Sequence, residues 1–98
     1  MKLILCSILL GATLLLNSSL MGQKLRVLDK TNLRAIENVV IENKNGISLK
    51  TNSNGVVDLT TFNKTEELWL VHPDYQIQVY SHDQLAALNF VIYLLENS

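Results

Sequence analysis

Cysteine, proline, glycine and histidine are all scarce in this sequence: one cysteine, one proline, four glycines and two histidines. Each scarcity removes a class of function. A single thiol cannot build a disulfide framework or a cysteine metal site. Four glycines leave no room for a phosphate-cradling loop, and neither G-x-x-x-x-G-K nor G-x-G-x-x-G occurs. Charge of one sign is missing as well, since the formal net charge is -1 and the charged fraction 17%. Lys24, Arg26, Lys30, Arg34, Lys44, Lys50 and Lys64 are scattered among acids. Nucleic acid needs a clustered basic face to neutralise phosphates, and none is present.

What is present is uneven. Residues 1–22, MKLILCSILLGATLLLNSSLMG, start with one Lys and run apolar from Leu3 to Leu16 before small and polar residues. That is the layout of a secretory signal peptide. The run falls short of the roughly 20 apolar residues that span a bilayer. Cleavage is expected after Gly22, with a cut near Ser19 as one alternative and an uncleaved anchor as another. Cys6 lies inside the apolar run, too early to be a lipid-attachment cysteine. Export without disulfides suits a Gram-negative envelope at least as well as an animal secretory route. Two sequons, at Asn17 and Asn63, carry no information in a bacterial host.

Residues 23–98 are expected to form one domain. A chain so small buries only about 60% of its unfolded surface, so its elements must be regular or lean on a partner. Seven short segments have strand character: Lys24–Asp29, Asn38–Glu42, Gly46–Lys50, Val56–Thr60, Glu67–Val71, Tyr75–Tyr80 and Asn89–Leu95. Their spacing near ten residues, with turn residues between, predicts an all-β, seven-stranded antiparallel sandwich. Asn45-Gly46 and Asn54-Gly55 supply the positive φ that tight turns require. They predict a three-strand meander from Asn38 to Thr60. The stretch Asp29–Asn38 reads as a loop, although Leu33 and Ile36 have helical spacing. His82–Phe90 reads equally as a short helix or as a loop into the last strand. That last strand, apolar on both faces, is either interior to the sandwich or covered by a partner.

Chemistry is sparse. His72 and His82 lack Cys or Glu at ligand spacing, and His72 is held extended by Pro73. Glu66 and Glu67 are adjacent, so a strand would point them to opposite faces. Asp29, Asn52, Asn54 and Asp58 offer the hard oxygens that calcium takes, but Asx residues in turns usually bond their own backbone. Trp69, Tyr75 and Tyr80 could stack on sugar rings or pack the core. No catalytic residues, cofactor or metal are expected, and the residues alone describe a non-enzymatic exported β-sandwich.

The order Val27-x-Asp29, Val39-x-Ile41, Gly46, Thr51-Asn52-x-x-Gly55, then His72-Pro73-Asp74-Tyr75 and Ile92-x-Leu94 resembles the carboxypeptidase-regulatory-like domain, a transthyretin-like (prealbumin-like, Ig-like) β-sandwich. The likeness covers nearly all of residues 23–95. Asn52 stands where that family usually has Asp, Val57 where it has Phe, Asp74 where it has Gly, and Arg34-Ala35-Ile36 replaces a common Pro-Leu. The resemblance implies structural roles for Val27, Asp29, Thr51, Asn52, Gly55 and Tyr75. In Bacteroidetes such a domain commonly follows the signal peptide of TonB-dependent outer-membrane receptors. It is the periplasmic N-terminal extension ahead of plug and barrel. The implied localisation is the periplasm or the periplasmic face of the outer membrane. The implied partners are the receptor's barrel and plug or components of the TonB system. The other expectations are a free-standing carbohydrate-binding module that uses the three aromatics, and a structural spacer.

Overall fold

The computed structural model describes residues 23–98. The expected signal peptide, with Cys6 and Asn17, lies outside the described residues. Seven strands and one short helix follow in order: β1 (Lys24–Asp29), β2 (Val40–Glu42), β3 (Ser48–Lys50), β4 (Val56–Asp58), β5 (Glu67–Val71), β6 (Gln78–Ser81), α1 (His82–Ala87) and β7 (Val91–Leu94). They form two sheets, ordered β4-β1-β7 and β3-β2-β5-β6.

Alternation builds the core. In β1, Leu25, Val27 and Asp29 are buried while Lys24 and Arg26 are exposed. Val57 of β4 and Ile92 and Leu94 of β7 join them from the same sheet. Ile41, Leu68 and Leu70 face them from the other sheet, and Leu85 of α1 closes the core. This is the two-layer solution for sheets with one apolar face each.

Two expectations about pairing are corrected. The sandwich is not wholly antiparallel, because β7 runs parallel to β1 with Arg26 opposite Val91 and Asp29 opposite Leu94. A parallel neighbour needs a crossover rather than a hairpin, and the chain reaches β7 from β6 through α1. The helix starts on Ser81, whose hydroxyl accepts from Gln84 N while the Gln84 side chain accepts from Ser81 N. This reciprocal cap fixes the first turn. Asn89 and Phe90, at φ +58 and +57, then reverse the chain into β7. The final strand is therefore an edge strand, with Tyr93 and Leu95 exposed, and not an interior one.

The expected meander also breaks. β2 and β3 form the hairpin around Asn45-Gly46, with Ile41 opposite Leu49. But β4 leaves that sheet and pairs antiparallel with β1. The reason lies at Gly55, whose carbonyl accepts from Val27 N at 2.8 Å. A Cβ there would stand 2.6 Å from Val27 O, so only glycine lets the turn press against β1. The turn passes the chain from one sheet to the other.

The segment before and within β6 is displaced from expectation too. The strand begins at Gln78, not Tyr75. Ile77 and Val79 are 60% and 40% exposed, while Tyr80 packs on the core. Asp29–Asn38 is a loop, held by a β-bridge between Leu28 and Ala35 and by the Ile36 and Asn38 amides, which donate to Val27 O and Thr51 O.

Candidate functional site

The residues that carry the family resemblance converge on two fixed points of the sandwich. At the first, β1 ends in Asp29, which is 2% exposed. Its Oδ1 accepts from Thr31 N at 2.7 Å and Asn32 N at 3.2 Å. Its Oδ2 accepts from Tyr75 Oη at 2.7 Å. The Tyr75 bond holds the Asp29 carboxyl below its ordinary range, burial opposes this, and the Thr31 and Asn32 amides add to the lowering. The same bond, with burial and the Asp29, Glu96 and Asp74 carboxylates, pushes Tyr75 up to about 12. The His72 ring meets Tyr75 edge-on at 5.2 Å, and its Nδ1 accepts from Asp74 N. Asp29, Asn32, Arg34, His72, Asp74 and Tyr75 line part of a depression of about 290 Å3.

The second point is Thr51, buried at the end of β3. Its Oγ1 donates to Ile36 O at 2.7 Å and accepts from Val39 N at 2.9 Å. Next to it, Asn52 Oδ1 accepts from Asn54 N and Val56 N. A carboxylate oxygen would accept the same two bonds, so Asn serves here as Asp would. Thr51, Asn52 and Gly55 thus hold a sheet corner.

The other candidate residues are not brought together. Asp29 and Asp58 sit at opposite ends of β1, because Asp58 pairs with Lys24. At about 3.3 Å per residue that is roughly 17 Å, too far for shared calcium ligation. Asp58 Oδ1 is bonded to Thr60 through both its amide and its hydroxyl. Among the described residues no three His, Cys, Asp or Glu side chains could hold a metal ion. Glu66 closes its own turn, accepting from Asn63 N and Asn43 Nδ2, whereas Glu67 lies exposed on β5. His82 is buried at the start of α1, edge-on to Phe90 at 5.4 Å.

The three aromatics are divided between faces. Tyr75 is bound to Asp29, and Tyr80 faces the core. Trp69 lies on the outer face of β5, between Glu42 and Val79. They form no common stacking platform. What the outer face does carry is an apolar strip of Val40, Trp69, Val71, Ile77 and Val79, with Ile77 and Val79 the most exposed.

Two determinants escape a reading of the sequence. Asn43, 7% exposed, accepts from Asn45 N and Ile47 N and so sets the hairpin. The bond from Tyr75 to Asp29 joins residues 46 apart and leaves no local signal. Ser81-x-x-Gln84, by contrast, is a local signature that would have favoured the helix over the loop.

Compared with family models, curated proteins and solved structures, the chain has no significant match in any of the three.

Proposed function

We propose that this chain is a non-enzymatic, exported β-sandwich module of the carboxypeptidase-regulatory-like, prealbumin-like kind. It would act in docking or regulation as the periplasmic N-terminal extension, or a fragment, of a TonB-dependent outer-membrane nutrient receptor. The apolar strip on the outer face of the β3-β2-β5-β6 sheet carries the docking part of the reading. An outer sheet face in water normally turns polar side chains outward, and this one turns Trp69, Ile77 and Val79. The family part is supported by Asp29, Thr51, Gly55 and Tyr75, each spent on holding the sandwich. The exported part is supported by the leader-like residues 1–22.

The test is fractionation of native cells with an antibody against residues 23–98. Recovery with the outer membrane, in a species much larger than this chain, is the expected result. A small soluble periplasmic species would favour the free-standing module. Recovery in the cytoplasm would overturn both.

A further inference from the structure

We infer that the outer face of the β4-β1-β7 sheet rests on a bilayer surface of anionic lipid. Cations that the sequence scatters come together on this face. β1 buries Leu25, Val27 and Asp29, so Lys24, Arg26 and Leu28 turn to the other side. Lys30 continues the row, its amide donating to Leu94 O. The strand registers set Val56 and Val91 on either side of Arg26, and Tyr93 beside Leu28. Lys24 and Arg26 border a depression of about 380 Å3 together with Val56 and Val91. Lys30 borders a second, of about 520 Å3, with Leu88, Val91 and Tyr93. Among the described residues, the outward positions of these strands hold one carboxylate, Asp58, which lies opposite Lys24.

This surface matches a bilayer in both its parts. Each Lys or Arg close to an anionic leaflet favours the bound state about fivefold. Long basic side chains lay their stems along apolar surface and keep their charged ends among the headgroups. Tyrosine suits the same level, with one end apolar and the other wet. Tyr93, Leu88 and Leu95 are 49%, 47% and 42% exposed, so they can reach the acyl boundary. The chain also leads to this sheet from an apolar segment, because residues 1–22 end one residue before β1. Charge decides between the two faces. The outward positions of the β3-β2-β5-β6 sheet hold Glu42 and Glu67 against Lys50, a balance that anionic lipid repels. The strip around Trp69 is then left turned away from the lipid and open to docking.

The test is quenching of tryptophan fluorescence by doxyl-labelled lipid, with the full chain added to vesicles. In the double variant Trp69→Phe, Tyr93→Trp, emission should be quenched by vesicles of phosphatidylcholine and phosphatidylglycerol in equal parts. Vesicles of phosphatidylcholine alone should quench it far less. The wild-type chain, whose only tryptophan is Trp69, should stay unquenched by both. With Trp69 kept, Tyr93→Trp alone gives the same reading as quenching above the wild-type level. In the double-variant background, Arg26→Gln and Lys30→Gln should each lower the ratio of docked to undocked chain about fivefold. Salt at about 1 M should remove most of the quenching. Lys44→Gln, in the β2–β3 turn of the other sheet, should leave the ratio within about twofold. Emission from position 93 that is unquenched, or quenched regardless of lipid charge, overturns the assignment. Quenching of Trp69 in the wild-type chain does so as well, because it puts the other sheet on the membrane. An equal loss in Lys44→Gln does so too, because the attraction would then belong to net charge and not to this face.

Discussion

Asp29 and Tyr75 make the acid–base behaviour of this fold a property of one bond. The carboxyl pKa is lowered in the folded chain, so the unfolded chain binds more protons in acid. The contribution of Asp29 is thus complete above its ordinary value of 3.8 and is lost as pH falls through the depressed folded value. Tyr75 acts at the other end. Its folded pKa is raised from 10.0 to about 12, so its contribution is complete below pH 10 and is lost as pH climbs from there to about 12. Urea unfolding midpoints followed across pH should therefore fall in both windows. Tyr75→Phe should remove the alkaline fall and shrink the acid one, because it takes away the largest cause of both shifts. Asp29→Asn should flatten the acid limb while leaving some of it, since Asp58 is lowered as well by Thr60. Unchanged profiles in both variants would show that the bond from Tyr75 to Asp29 does not persist in solution.

Strand positions were legible where alternation and burial coincide. Lys24–Asp29 and Glu67–Val71 were readable to the residue, because each buries one face in strict alternation. Pairing was not, since alternation shows which side of a strand is buried and is silent on its neighbour. The Asn54-Gly55 signal has the same form as Asn45-Gly46, yet one joins two strands of a sheet and the other changes sheets. The difference is a contact with Val27, some 28 positions earlier in the chain, which local sequence does not encode. The face of β6 was unreadable for a related reason: its apolar side chains point out, against the usual burial rule. The two turns give a paired prediction. Gly46→Ala meets nothing within 4 Å and pays only for its φ of +87, about 1 kcal/mol. Gly55→Ala has a φ of +72 and also a collision with Val27 O, so it should cost more, about 3 kcal/mol. Chemical denaturation of the two variants measures the gap, and equal costs would mean that the Gly55 turn does not press on β1.

The two sheets, of three and four short strands, each turn one apolar face toward the other. Their stability comes from the shared core, to which both contribute fully buried side chains, and from the Tyr75 bond that crosses to the end of β1. Such an arrangement should unfold as one unit. Trp69, the single tryptophan, lies in the β3-β2-β5-β6 sheet and reports on it alone. Val27 lies in the other sheet at 0% exposure. Val27→Ala removes two buried methyl groups and should cost about 2 kcal/mol. If the core is common property, that loss should shift the tryptophan fluorescence midpoint and the far-ultraviolet midpoint by the same amount, with one transition seen by both probes. A fluorescence midpoint that stays in place while the far-ultraviolet midpoint falls would mean that the sheets melt separately. The exposed outer strip would then belong to an autonomous four-stranded unit.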